Sequence, residues 1–249
     1  MSDIKSLVII PTYNESENII EIIDEIFLLK DNFSILVVDD NSPDKTSKLV
    51  EEKIPFHKER LFLIKREEKL GIGPAYINGF EWAIKNGYEN IYEMDADFSH
   101  NPKDLSRMQV FLTNNGYDVV IGSRYKTGVN VINWPIQRVL ISYFASWYAR
   151  TITGTPIMDL TSGFVGYKAS VIQEVLKEGI IFKGYAFQIE MKFKAYNLKY
   201  KLYEIPIIFT DRIRGESKLN LSIIYEAVFG LISMKLRKIF SKMFKWKQL

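Results

Sequence analysis

Short apolar segments alternate with helical patterns through the first half of this 249-residue chain. The segments are rich in Val, Ile and Leu and nearly continuous, which is typical of strands buried on both faces. They occupy residues 6–10, 34–38, 61–64, 90–94 and 118–121. Helical patterns separate them at residues 15–30, 46–53, 74–86 and 102–114. This order predicts an α/β fold with a mostly parallel central sheet that is covered by helices.

The second half of the chain is less regular. Helical patterns lie at residues 136–151, 186–197 and about 221–247, and strand patterns lie at residues 162–168 and 203–209. No segment rich in Pro, Gly and Ser interrupts the chain. We therefore predict one domain at residues 1–218, followed by a C-terminal basic amphipathic helix at residues 219–249.

Composition limits the chemistry that such a domain can perform. The chain has no Cys, which excludes disulfides, thiolate zinc sites and a Cys nucleophile. It has only two His, His57 and His100, which excludes a metal site made of three His. Catalysis must rest on carboxylates, hydroxyls, Lys and Arg. The net charge of +3 is too small to indicate a nucleic-acid partner.

The ends of the chain point to a membrane surface rather than a membrane span. Residues 1–5 lack the layout of a signal peptide, and no apolar run reaches the roughly 20 residues that cross a bilayer. Residues 235–249 carry six basic residues and no acidic one, beside an apolar stripe. Residues 131–148 are rich in Trp, Tyr and Phe, which favour the membrane interface. We expect a cytoplasmic protein, peripheral at the cytoplasmic face of the membrane; ordinary packing of both segments is the alternative.

Polar residues cluster where the predicted strands end. Pro11 to Glu15 follow the first strand, Asp39 to Asp44 the second, Asp95 to Asp97 the fourth, and Gly122 to Tyr125 the fifth. The carboxyl ends of parallel strands meet at one edge, where α/β proteins bind their ligands. Any one of these clusters alone could be a solvated loop or a helix cap, but together they predict a binding site.

The pair Asp95 and Asp97 suggests a metal site. Alternate carboxylates after a strand can converge on Mg²⁺ or Mn²⁺, which prefer oxygen ligands and often also bind substrate phosphates. The alternative is that one of them caps the next helix. Gly71 and Gly73 do not complete a dinucleotide-binding motif, because Tyr76 stands where a third Gly is required. They predict a tight turn instead.

Four of these motifs together resemble family 2 glycosyltransferases of GT-A fold, the nucleotide-diphospho-sugar transferase fold. They are residues 11–15, 39–44, 95–97 and 122–125. Further segments resemble the dolichol-phosphate mannose synthases and the polyprenol-phosphate mannosyltransferases of bacteria and archaea. These segments are residues 133–142, 159–163, 184–190 and 212–218. The resemblance covers nearly the whole chain except its tail.

The resemblance implies a role for individual residues on the donor side of the site. The nucleotide base and ribose would be lined by Pro11, Tyr13, Glu15 and Asp40. The metal on the donor diphosphate would be held by Asp95 and Asp97, with Ala96 adding backbone contacts. Some relatives have a metal-binding Gln where this chain has Ser99, so Ser99 is a third candidate ligand. Arg212 and Lys218 would close over the donor, although a solvated loop is the other reading of residues 211–218.

The resemblance also implies the acceptor and the reaction. Arg124, Arg138 and Ser142 would bind the phosphate of a dolichyl or polyprenyl phosphate in a membrane. GDP-mannose would donate mannose with inversion, and Arg124 would act together with the metal carboxylates in catalysis. Many relatives carry transmembrane helices after the catalytic domain, whereas this chain resembles the peripheral types, and its need for a membrane-anchored partner subunit is left open. The alternatives are another donor such as UDP-glucose, a soluble sugar acceptor, or a non-catalytic nucleotide-sugar-binding protein at the membrane surface.

Overall fold

The computed structural model describes residues 4–57, 59–211 and 230–237. Within them, a central sheet holds seven strands in the order β3-β2-β1-β4-β7-β5-β8. The strands are β1 Ser6–Thr12, β2 Phe33–Asp39, β3 Leu61–Lys65, β4 Asn90–Glu93, β5 Val119–Ser123, β7 Val165–Lys168 and β8 Leu202–Pro206. All neighbouring pairs are parallel except the two that β7 makes, with β4 and with β5. The predicted mostly parallel sheet is confirmed.

Helices cover both faces of this sheet. They are α1 Ile19–Phe27, α2 Thr46–Lys53, α3 Ile72–Lys85, α4 Lys103–Thr113, α5 Ile136–Thr153, α6 Ala169–Lys177 and α7 Ala186–Asn197. Strands β1, β2, β4 and β5 are almost wholly buried because each of their faces packs on a separate apolar cluster, whereas the edge strand β3 is only partly buried. On β1, Leu7 and Ile9 face one cluster, and Val8 and Ile10 face the other.

The strands of the first half lie within two residues of their predicted bounds, whereas two strand predictions of the second half differ more from the structure. The segment predicted as residues 162–168 becomes a strand only at Val165, because Ser162 donates its hydroxyl to the Gly122 carbonyl and forms a turn instead. The segment predicted as residues 203–209 is split at Pro206, which has no N–H for a ladder. Its last part begins β9, Phe209–Thr210, which pairs in parallel with β6, Val131–Ile132. Helix α6 was not predicted at all.

Gly71 and Gly73, at the start of α3, make the tight turn that the sequence predicts. Gly71 has a φ of +103°, and a Cβ there would lie 2.8 Å from the carbonyl oxygen of Lys183. The N–H of Gly73 donates to the same oxygen over 2.9 Å. Only glycine allows the two chain segments to approach this closely.

The predicted C-terminal helix is described over residues 230–237, which are helical. Leu231 and Met234 are buried there, and the Lys235 ammonium donates to the Thr153 carbonyl oxygen over 3.0 Å. The remainder of residues 219–249 lies outside the described residues, so the domain division stays a prediction. Among the described residues, no helix has both the length and the apolar character needed to cross a membrane.

Candidate active site

The strand ends open into one cavity of about 710 Å³. Eleven of the thirteen predicted site residues line it, and they come from the ends of β1, β2, β4 and β5 and from α5. They are Pro11, Tyr13, Glu15, Asp40, Asp95, Ala96, Asp97, Ser99, Arg124, Arg138 and Ser142. The other two, Arg212 and Lys218, lie outside the described residues. The structure thus gathers the sequence-derived candidates at the predicted edge of the sheet.

The first side of the cavity lies beyond β1 and β2. Asp40 is 6% exposed, and its carboxylate forms an ion pair with Arg66 over 2.7 Å. Burial raises the pKa of Asp40 more than Arg66 lowers it. Lys69 places its ammonium 4.0 Å from the centre of the Tyr13 ring. This end of the site therefore combines one aromatic ring with a carboxylate and two cations.

The second side contains the two carboxylates that follow β4. Asp95 and Asp97 both line the cavity, and the Asp97 side chain accepts the Ser99 N–H over 3.0 Å. Nδ1 of His100 accepts the Asp95 N–H over 3.2 Å, so this histidine fixes the backbone of the loop. Burial lowers the pKa of His100 to about 4, so its imidazole is neutral near pH 7.

The carboxylates after β4 suit a divalent cation by the chemistry of their oxygens. Among the described residues, no group of three or more His, Asp or Glu converges on one point. A protein usually supplies one or two carboxylate ligands to a hard cation that also binds substrate phosphates. The residues present therefore fit a cation that arrives with, or is completed by, a phosphate-bearing substrate.

Arg124, which follows β5, also lines the cavity and is held in a fixed orientation. It donates from Nε and Nη2 to the two carboxylate oxygens of Asp159, each over 2.7 Å. Nη2 also donates to the Thr161 hydroxyl over 2.7 Å, and Asp159 is fully buried. Burial alone would raise the pKa of Asp159, but Arg124 lowers it below its ordinary value. This bidentate ion pair orients the guanidinium of Arg124, which is one of the predicted site residues.

Helix α5 adds the remaining candidates along one face. Arg138 donates from Nη1 to Asp211 over 2.7 Å, and its guanidinium carbon lies 4.2 Å from the Trp134 ring centre. Ser142, four residues on, accepts the Tyr125 hydroxyl over 2.7 Å. Two arginines and a serine hydroxyl on one side of a cavity are suited to binding a phosphate.

Sequence reasoning missed several residues of this site. Asp159 and Thr161 lie in a segment that carries the family resemblance, but no role was predicted for them. His100 was not among the predicted site residues, and its part in fixing the Asp95 loop depends on tertiary structure. Further lining residues that sequence reasoning did not assign are Lys69, Tyr185 and Gln188.

Comparisons with known proteins agree with this geometry. The model of the family described as "Glycosyl transferase family 2" matches residues 7–176. A polyprenol monophosphomannose synthase of Mycolicibacterium smegmatis is 40% identical over 233 residues, which are 94% of this chain and 88% of the relative. An undecaprenyl-phosphate mannosyltransferase of Micrococcus luteus is 37% identical over 225 residues, which are 90% of this chain and 91% of the relative.

Solved structures share the fold at low sequence identity. Glucosyl-3-phosphoglycerate synthase from Mycobacterium tuberculosis, in complex with Mn²⁺, UDP and phosphoglyceric acid, has a TM-score of 0.65 and 16% identity; the match covers 93% of this chain and 78% of that one. A mannosyltransferase from Pyrobaculum calidifontis, in complex with GDP-Man and Mn²⁺, has a TM-score of 0.57 and 18% identity, covering 86% and 58%. They confirm the predicted GT-A fold. With the family match over most of its length, this chain belongs to glycosyl transferase family 2.

Proposed function

We propose that this protein transfers mannose from GDP-mannose to the phosphate of a polyprenyl or dolichyl phosphate. One observation carries the proposal: a single cavity joins two carboxylates suited to a metal-bound diphosphate to two arginines suited to a second phosphate. Relatives that align over nine-tenths of the chain bear the names of polyprenyl-phosphate mannosyltransferases, which supports the lipid phosphate as acceptor.

Asp95 and Asp97 would hold the divalent cation, Mg²⁺ or Mn²⁺, with Ser99 as a third candidate ligand. When bound, the cation neutralises the diphosphate and makes GDP a better leaving group. Pro11, Tyr13, Glu15 and Asp40 would line the base and ribose, with Ala96 nearby; Arg212 and Lys218 would close over the donor. Those two lie outside the described residues.

The acceptor phosphate supplies its own nucleophile. The second pKa of a phosphate monoester is about 6, so its oxygen is mostly ionised at pH 7 and no general base is needed. The oxygen attacks the anomeric carbon, the bond from that carbon to GDP breaks, and the configuration inverts. Arg124, Arg138 and Ser142 would hold the acceptor phosphate and offset its repulsion from the donor diphosphate.

The acceptor class can be tested with three acceptors in parallel. Purified protein, Mn²⁺ and labelled GDP-mannose are incubated with a short-chain polyprenyl phosphate, the matching polyprenol, or 3-phosphoglycerate. We expect label in the organic phase with the polyprenyl phosphate only, because the polyprenol lacks the ionised nucleophile. Label on 3-phosphoglycerate would instead assign a soluble acceptor and contradict the proposal.

Helix α5 supports the membrane part of the proposal, because its polar face points inward. Its residues Arg138, Ser142 and Ser146 hydrogen-bond to the site, while most of its exposed residues are apolar. Exposed fractions of 40–69% are found at Ile136, Leu140, Ile141, Tyr143, Phe144 and Trp147. An exposed apolar surface of this kind marks an interaction site, and α5 contains no acidic residue that an anionic membrane would repel.

The same apolar surface continues into the cavity. Leu140, Ile141 and Phe144 are exposed on α5 and also line the cavity that holds Arg124. A polyprenyl chain lying along α5 would therefore bring its phosphate to the arginines. We infer a peripheral protein at the cytoplasmic face of the membrane, with a membrane-anchored partner subunit as an additional partner; full activity of the purified chain on vesicles would exclude a need for that subunit.

Replacing outward residues of α5 tests the membrane contact. We expect Ile136→Ser with Trp147→Ser to reduce binding to anionic vesicles roughly tenfold or more, since burying each large apolar side chain contributes about 1.5–3 kcal/mol. Neither residue lines the cavity, so transfer to a detergent-dispersed short-chain acceptor should persist. The measurement is vesicle co-sedimentation.

The matched control replaces two apolar residues elsewhere that are even more exposed than Ile136 and Trp147. Leu28 is 77% exposed and Phe56 is 82% exposed, and both lie outside α5. Leu28→Ser with Phe56→Ser should leave vesicle binding unchanged. Equal losses from both double variants would show that α5 is not the membrane-binding surface.

A further inference from the structure

Lys192 of α7 is a fully buried lysine beneath the cavity. Its ammonium donates to the Leu160 carbonyl oxygen over 3.2 Å and to the Ser162 carbonyl oxygen over 2.7 Å. It also donates to the Gln188 carbonyl oxygen over 3.0 Å. A fourth hydrogen bond goes to the Gln188 side-chain oxygen over 3.1 Å. Removing an ammonium from water is costly, and here two of the four compensating hydrogen bonds go to the carbonyls of one turn.

The turn held by Lys192 is the one that holds Arg124. Successive residues of this turn contact the two cations alternately. The carbonyl oxygens of Leu160 and Ser162 accept hydrogen bonds from Lys192. The side chains of Asp159 and Thr161 accept hydrogen bonds from the Arg124 guanidinium. A shift of the two carbonyls would therefore move both partners of Arg124 together.

The start of the same turn is held by a charge of opposite sign. Glu204 of β8 accepts the N–H groups of Met158 and Asp159 over 3.0 and 2.9 Å and is 3% exposed. The Glu204 carboxylate thus accepts hydrogen bonds from the amides of this short segment, and the Lys192 ammonium donates hydrogen bonds to its carbonyl oxygens. Arg124 and Asp159 belong to the same buried group. So does the fully buried Glu93, whose carboxyl interacts electrostatically with Lys192, so two basic side chains face three acidic ones.

We propose that Lys192 is a positioning residue for the acceptor phosphate: it fixes the turn at residues 158–162, and through Asp159 and Thr161 it fixes the guanidinium of Arg124. This inference rests on the proposed function, in which Arg124 binds the lipid phosphate. Lys192 touches neither substrate. Its effect should appear in acceptor binding and spare the donor side, whose residues follow β1, β2 and β4.

The test compares substrate constants in Lys192→Met, which keeps the length of the side chain and removes its charge. We expect the KM for a short-chain prenyl phosphate to rise roughly tenfold, because small displacements of a binding group are expensive. The Kd for GDP with Mn²⁺, measured by calorimetry, should be unchanged. Lys194→Met, on the same helix but paired with Glu190 instead, is the control for loss of a helix cation.

A second variant separates positioning from destabilisation. Lys192→Met with Glu204→Gln removes one basic and one acidic side chain from the buried group and keeps a carbonyl oxygen for the amides at 158 and 159. It should recover thermal stability but retain the raised acceptor KM. An unchanged acceptor KM in either variant, or an equal loss of GDP binding, would overturn the role of Lys192. Absence of mannose transfer by the wild-type protein would instead overturn the proposed function.

Discussion

Asp97→Asn should lower metal-dependent mannose transfer about a thousandfold. The amide preserves the shape of the side chain and can still accept the Ser99 N–H, but it removes a negative charge from the cation. Stabilisation of a leaving group by a metal contributes several kcal/mol, and about 4 kcal/mol corresponds to this loss of rate. The measurement is the initial rate at saturating donor over a range of Mn²⁺ concentrations.

The control for this variant is Asp31→Asn. Asp31 precedes β2, at the end of the sheet opposite to the cavity. Its substitution removes the same charge at a position far from the proposed diphosphate site. Its rate should equal that of the wild type. Normal turnover by Asp97→Asn would mean that this carboxylate does not hold the cation.

Asp159→Asn should lower the free energy of unfolding by about 3–5 kcal/mol, the usual result of removing one partner from a buried ion pair. Arg124 is only 8% exposed, and in this variant its buried charge would lack the carboxylate that neutralises it. Urea denaturation at pH 7 measures the effect. The control, Asp24→Asn, breaks an ion pair with Lys53 whose carboxylate is 48% exposed, and should cost less than about 1 kcal/mol.

The pH dependence of the same variant follows from the pKa of Asp159, which is lower in the folded protein than in the unfolded chain. A lowered pKa contributes stability that is present above the unfolded value of about 3.9 and is lost as pH falls through the folded value. The difference in stability between wild type and Asp159→Asn should therefore be constant near pH 7 and shrink below about pH 4. A difference that stays the same down to acid pH would contradict the ion pair.

The first half of the fold is readable from sequence because its signals are local. Buried parallel strands give continuous apolar runs, and α2 has the same bounds in the sequence pattern and in the structure. The second half is harder. The split near Pro206 depends on β9 leaving the sheet to pair with β6, and no local pattern encodes that partner.

The candidate site divides in the same way. Residues that directly follow strands, such as Asp95, Asp97 and Arg124, could be nominated because topology brings strand ends together. The residues that hold these side chains in place could not be predicted from the sequence. Lys192 lies in a helix, about 70 residues after Arg124, and only the packing of α7 against the turn at 158–162 reveals the connection.

The proposed reaction is best tested by offering two labelled donors to the purified protein in parallel. Labelled GDP-mannose and UDP-glucose are each incubated with Mn²⁺ and a polyprenyl phosphate in detergent, and label in the organic phase is counted with and without a chelator. We expect chelator-sensitive transfer from GDP-mannose. Transfer from UDP-glucose alone would contradict the assigned donor, and no transfer from either would contradict the proposed reaction.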